Sequence, residues 1–261
     1  MPNERNAVRS RRQRRQSLLL RLFIVLIIAG VLLLASMLFF RVEYVVIEGA
    51  THHSIEEIQA VADVGTGRML FATPRRRVRQ RLLNAFPYLR DVNVRLRLPG
   101  TIVLQLDERQ AMAYIDQDGQ RWMIDYYGRL LEVTAPNTEV VGFALRGIGL
   151  YEPQVNTYFS SPDHVQQQTY ELLLPAFRKH GFLDSLDELD LTALADITFS
   201  LHGRFTVRLG VISDLDYKLR LLTEMLQQLE QERPNARGTI TLVDAAEQRR
   251  ALFSEDIDWV E

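Results

Sequence analysis

The residues best suited to metal or proton chemistry are five histidines: His52, His53, His164, His180 and His202. They form no His-x3-His pair and have no Glu at the spacing of a metal motif, so no metal centre is expected. Cysteine is absent, which excludes thiolate ligands and a disulfide framework. Nucleophile signatures are missing too: there is no Gly-x-Ser-x-Gly, no Walker loop and no Ser-x-x-Lys. Gly147-Ile148-Gly149 has no third glycine at the needed spacing and opens no clear helix, so it does not read as a dinucleotide fingerprint. The sequence therefore predicts no catalytic residue, no cofactor and no enzyme.

What remains is the chemistry of binding. Arg75, Arg76, Arg77, Arg79 and Arg81 form a dense basic run. On a helix, Arg75 and Arg79 share a face, as do Arg77 and Arg81, and Arg75, Arg76 and Arg79 are candidates to meet anionic headgroups or an acidic partner. The opposing expectation is a solvated helix face. Glu108-Arg109 pairs two charges where one pattern of strands gives way to another, and a structural ion pair or hydrogen-bond clasp is the expected role.

These residues need elements to position them, and the first is a membrane anchor. Leu18 to Phe40 carries one charge, Arg21, in 23 residues. As a helix it would rise about 35 Å, enough to cross a hydrocarbon core of roughly 30 Å. Residues 1 to 21 hold seven Arg and one Glu, net +6, so of the overall −2 the rest of the chain carries −8. The basic side predicts a cytoplasmic amino terminus and extracytoplasmic domains. An acidic external part also argues against wholesale nucleic-acid binding. The apolar run exceeds a signal-peptide core, and Ala35-Ser36-Met37 lacks a small-x-small cleavage pattern.

After the anchor, Val42 to Gly49 reads as a strand. Ser54-Ile55-Glu56-Glu57 matches a capping box, and Thr73-Pro74 opens a second helix with Val78, Leu82 and Phe86 on one stripe. Val92, Val94, Leu96 and Leu98 alternate with polar residues, Pro99-Gly100 turns the chain, and Ile102, Leu104 and Leu106 alternate back. From Ala111 short strands follow near 111–116, 120–125 and 129–133, then one near 140–145. Asp163 caps a helix to about His180 that Pro175 should kink or divide, and Leu183 to Leu191 is expected to continue the helical layer. A hairpin turns at His202-Gly203, and an amphipathic helix carries Leu215, Leu219, Leu222, Leu226 and Leu229. Thr239 to Val243 and Arg249 to Phe253 read as closing strands before a loose acidic tail.

In this order the residues resemble the FtsQ/DivIB family of bacterial cell-division proteins. The stretch FPYLRDVNVRLRLPGTIVLQLDERQAMAYI is similar to that family's aromatic-Pro, alternating strand, Pro turn and "E-R-x-P-x-A" ending, although Gln110-Ala111-Met112 lacks the proline. Met123 to Leu131 looks like its "L-V-D-x-x-G-x-V-F" hairpin. Val207-Arg208-Leu209-Gly210 with Lys218 is similar to its "V-x-L-G…K" segment, and Thr241-Leu242-Val243-Asp244 to its closing strand.

The resemblance implies an α+β fold: a cytoplasmic tail at 1–17, a single-pass span at 18–40, a β-α-α-β-β POTRA domain at 41–109, a mixed, mainly antiparallel β domain with helices at 110–253, and a tail at 254–261. It implies a non-catalytic divisome scaffold at the septum, anchored in the bilayer by one helix, with neither nucleic acid nor a small molecule as ligand. It further implies partners like FtsB and FtsL, bound by strand addition to the last strand. The segment assigned to that edge is Arg249, Arg250, Ala251, Leu252, Phe253 and Ser254; the alternative is that Leu252 and Phe253 simply pack on the core. Rival readings are a POTRA-type polypeptide-binding module of a secretion or assembly system and a membrane-anchored cell-wall enzyme.

Overall fold

The computed structural model describes residues 20–32, 34–35, 39–49, 52–243, 245 and 250–255. The expected span at 18–40 therefore lies partly outside the described residues. Residues 20–32 are helical (α1), and their apolar side chains are exposed. Among the described residues no helix is long and apolar enough to cross a membrane. The rest forms two compact units, Met1–Ala85 with Leu89–Glu108, and Phe86–Tyr88 with Arg109–Glu261.

The first unit follows the expected order of strand, helix, helix, strand, strand. Strand β1 (Tyr44–Glu48) pairs parallel with β3 (Thr101–Glu108), and β2 (Leu89–Arg97) pairs antiparallel with it, giving the order β1-β3-β2. Helix α2 (Ile55–Ala62) starts at the capping box, where the Ser54 hydroxyl accepts from Glu57 N–H at 3.3 Å and the Glu57 carboxylate accepts from Ser54 N–H. Helix α3 (Arg75–Ala85) buries Val78 and Leu82 and turns its arginines to water. With Ile58, Leu70, Ile102 and Leu104 these close a small core.

The second unit is a nine-stranded mixed sheet in the order β12-β11-β10-β9-β8-β7-β4-β5-β6. The strands are β4 (Ala111–Gln117), β5 (Gln120–Asp125), β6 (Leu130–Thr134), β7 (Phe143–Arg146), β8 (Leu186–Asp190), β9 (Ile197–Leu201), β10 (Phe205–Gly210), β11 (Gly238–Thr241) and β12 (Leu252–Glu255). Helices α4 (His164–His180) and α5 (Leu215–Glu232) pack on it. Phe177, Leu173, Leu219 and Leu222 meet Phe199, Val207 and Leu209 from the sheet in one core.

Three expectations change. Helix α4 runs through Pro175 undivided, because that residue lies on the exposed face, where water can satisfy the carbonyl that the ring leaves without a donor. Leu183 to Leu191 is not a helix: a short 3-10 turn at Leu183–Ser185 leads into β8. A register shift between Leu186 and Glu188 lets Leu186 and Leu189 both face the core at a spacing of three, which imitates a helical period. The tail is shorter than expected, since Ser254 and Glu255 belong to β12.

Candidate partner-binding edge

Strand β12 forms one border of the nine-stranded sheet and pairs only with β11, Thr241 opposite Leu252 and Gly238 opposite Glu255. The direction of its main chain follows from β11. Gly238 N–H donates to Arg204 O (3.1 Å) and Leu242 N–H to Arg208 O (2.8 Å), so alternate residues of β11 face β10. Thr239 and Thr241 must then face β12, where they lie opposite Ser254 and Leu252. The N–H and C=O groups of Phe253 and Glu255 consequently point outward, and among the described residues no segment covers them.

The side chains divide in the same alternating way. Phe253 packs on the core, its ring 6.3 Å from that of Phe205 in an edge-to-face contact. Leu252 projects to the other side, 48% exposed. Ala251 is partly buried against the core, Arg250 and Ser254 are exposed, and Glu255 pairs with Arg233 at 3.2 Å. Arg249 lies outside the described residues. Gly238 admits β12 closely, since a Cβ there would collide with the Ser254 carbonyl.

The opposite border is covered where β6 begins. Residues 154–159 fold along β6: Leu130 N–H donates to Thr157 O and Asn156 N–H to Leu130 O, both at 2.8 Å, and Phe159 N–H donates to Gly128 O at 2.9 Å. Arg129 donates to Asn156 Oδ1 at 2.6 Å and lies over the Tyr158 ring.

Glu108 and Arg109 do not share a partner. Glu108, which ends β3, accepts from His52 N–H at 3.0 Å. Arg109 reaches Asp125, which is 3% exposed, with Nη1 2.6 Å from Oδ2. The other oxygen of Asp125 accepts from the N–H groups of Tyr127 (2.9 Å) and Arg129 (2.8 Å). One buried carboxylate thus organises the β5–β6 turn. Gly128 closes that turn at φ +78°, and a Cβ there would meet the Phe159 ring at 2.8 Å.

Lys218 is 1% exposed on α5, and its ammonium donates to Leu209 O (3.0 Å) and Val211 O (2.8 Å). It satisfies carbonyls at the point where β10 stops.

Within the basic run, Arg79 pairs with Asp91 at 2.8 Å and Arg81 with Asp63 at 3.1 Å. Arg79 holds the Asp91 carboxyl below its ordinary range, and Arg68 with Arg81 does so for Asp63. Arg75, Arg76 and Arg77 are exposed and make no ion pair among the described residues.

No group of three His, Asp or Glu among the described residues converges on a metal position. An open depression of about 570 Å³ beside α4 and α5 is lined by Lys179, Asp216, Tyr217 and Arg220. Of its two carboxylates, Asp214 and Asp216, the second is already engaged: Lys179 and then His180 hold Asp216 below its ordinary range.

Residues 40–109 match the model of the FtsQ-type POTRA domain. Over 227 residues the chain is 24% identical to the cell division protein DivIB of Clostridium botulinum strain Hall, covering 85% of this chain and 86% of that one. Over 232 residues it is 27% identical to the cell division protein FtsQ of Syntrophotalea carbinolica, covering 87% and 78%. Over most of its length the chain is thus similar to division proteins of the FtsQ/DivIB family, and its residues 40–109 match that family's type of POTRA domain.

The FtsQ/DivIB motifs can now be given physical meaning. Arg109, Asp125 and Gly128 are parts of one buried turn, although they stand in two separate motifs of the sequence. In the "L-G…K" segment Lys218 is the internal donor for the end of β10, so its spacing on α5 is set by the carbonyls of residues 209 and 211. Sequence reasoning missed the Arg109–Asp125 pair because the partners stand sixteen residues apart in different elements. Two motifs shared with one family were the only signal available.

Proposed function

We propose that this cell-division protein is a non-catalytic scaffold anchored in the cell membrane at the division septum, and that it captures its partners by strand addition to β12. The single observation carrying the proposal is the border position of β12, with the main-chain groups of Phe253 and Glu255 directed outward. Unpaired N–H and C=O groups supply affinity to an added strand, and alternate side-chain positions fix its register. Leu252 offers an exposed apolar anchor on one face, and the other face is continuous with Phe253 on the core. The expected occupants are extended segments of FtsB-like and FtsL-like membrane proteins.

On this reading residues 1–17 are the cytoplasmic tail, 18–40 the span, 41–109 the POTRA domain and 110–255 the β domain, its end extended to include all of β12. The exposed apolar side chains of residues 20–32 and of Leu34 support the span, because such a surface is costly in water and favourable in hydrocarbon.

The experiment is co-purification of the full chain with a membrane-bound FtsB-like partner, comparing wild type, Glu255→Pro and Ser254→Ala. Proline at 255 removes one outward N–H and leaves the β11 pairing intact. Loss of capture by Glu255→Pro alone, with unchanged thermal unfolding, is the expected result. Equal recovery of the partner by all three proteins would move the binding surface elsewhere.

A further inference from the structure

The chain leaving α1 is tied directly to the first unit. Phe40 O accepts from Leu70 N–H at 2.9 Å, Val42 N–H donates to Arg68 O at 2.8 Å, and Gly67 N–H donates to Val42 O at 2.8 Å. Residues 67–70 therefore lie at the level of residues 40–42. Leu70–Ala72 form a 3-10 turn in which Leu70 is fully buried and Phe71 is 60% exposed. The exposed Phe71 ring sits 5.3 Å from Phe40, edge to face, and Phe39 beside it is 77% exposed. This leaves an apolar cluster open at residues 39, 40 and 71, where the expected span ends.

A positive charge adjoins it. Local main-chain bonds run without a gap from Met69 through Pro74 to Val78, including Ala72 N–H to Met69 O (3.1 Å) and Arg77 N–H to Pro74 O (2.9 Å). They hold the start of α3 next to the Phe71 turn. Arg75, Arg76 and Arg77 stand there, together with the exposed Arg41, and none of the four makes an ion pair among the described residues. Arg79 and Arg81, farther along the helix, are engaged by Asp91 and Asp63. The run thus separates into neutralised arginines and arginines left beside exposed aromatic rings.

We propose that the Phe71 turn is a second membrane contact: Phe71 and Phe39 enter the acyl boundary of the outer leaflet, and Arg41, Arg75, Arg76 and Arg77 meet anionic lipid phosphates. An aromatic wedge bordered by guanidinium groups has the composition of an interfacial anchor. Near an anionic surface each such arginine raises the preference for the membrane by about fivefold. The contact fixes the tilt of the first unit on the bilayer, because a single helix end leaves rotation free and a second point removes it. This inference rests on the reading of 18–40 as a span, and it adds a lipid-headgroup site to the domain that follows.

The absence of cysteine makes the test direct. The full chain is placed in vesicles of mixed phosphatidylcholine and phosphatidylglycerol, and single nitroxide labels are attached at Val25→Cys, Met69→Cys and Ile55→Cys. Ile55 lies at the far end of β1, about 15 Å along the strand from the turn. Collision with oxygen in excess of collision with a water-soluble nickel chelate is expected at 25 and 69 and the reverse at 55. Adding Phe71→Asp, or Arg75→Glu with Arg76→Glu and Arg77→Glu, should return position 69 to water while 25 stays in lipid. In vesicles of phosphatidylcholine alone the arginine changes should lose that effect.

A label at 25 in lipid with 69 in water would overturn the second contact and leave the span intact. A label at 25 in water would overturn the span itself. Protection of 69 from both quenchers would mean that another protein covers the turn, and would also overturn the proposal, as would an arginine variant indistinguishable from the parent.

Discussion

The two borders of the nine-stranded sheet are built in opposite ways. At β6 the chain covers the start of its own edge with residues 154–159 and fastens the adjoining turn through Arg109 and the buried Asp125 carboxylate. At β12 the edge strand is four residues long and keeps the main-chain groups of Phe253 and Glu255 turned outward. A sheet edge left open invites pairing, so proteins normally cover, charge or shorten it. Among the described residues one border receives a loop and an ion pair to a buried carboxylate, and the other an exposed Leu252 and an ion pair from Arg233 to Glu255. On the proposed reading, the first border holds the sheet together and the second stays available to a partner.

The contrast can be broken most forcefully at its closed end. Arg109→Ala leaves the Asp125 carboxylate buried without its cation, which costs about 3–5 kcal/mol. Denaturant unfolding of the full chain in detergent should show that loss in the second unit. Next comes Lys218→Met, which keeps the aliphatic stem but orphans two carbonyls at the end of β10, at about 2–3 kcal/mol. Unfolding midpoints measure it, and an unchanged midpoint would remove Lys218 from the account. Gly128→Ala forces a left-handed turn and a collision with Phe159, at about 1–3 kcal/mol. Amide exchange should then rise at Leu130 and Phe159, the residues that seal β6.

At the open end the expected stability effects are small. Leu252→Ser should lower stability by under about 0.5 kcal/mol. The smallest effect belongs to a surface cluster remote from either border. Lys179 and His180 hold the Asp216 carboxyl below its ordinary value of 3.8, so their contribution is complete above that pH and lost as pH falls through the lowered folded value. An acid titration of the unfolding midpoint should be slightly flatter for Asp216→Asn than for the parent.

Much of the closed border could be read from residue types, because its signals are local. Asp118-Gly119 and Tyr127-Gly128 mark turns between alternating strands, and the observed strands stop where those turns require. The capping box at Ser54 and the Asp163 cap specify helix starts in the same local manner. The pairings that define the borders are long-range and were not legible. Nothing in Arg109 indicates Asp125, and nothing in Arg249 to Ser254 separates an inward Phe253 from an outward Leu252 until the register with β11 is known. The strand at Leu186 was hidden for another reason, since its bulge moved two leucines into helical spacing. Pro175 misled because its effect depends on which face of α4 meets water.

The most direct test of the open edge is residue-resolved amide exchange on the full chain in lipid nanodiscs, with and without the membrane-bound FtsB-like partner. Addition of the partner should slow exchange at Phe253 and Glu255 and leave β6 unchanged. Unaltered exchange at both residues in a complex shown to be intact would contradict strand addition at β12.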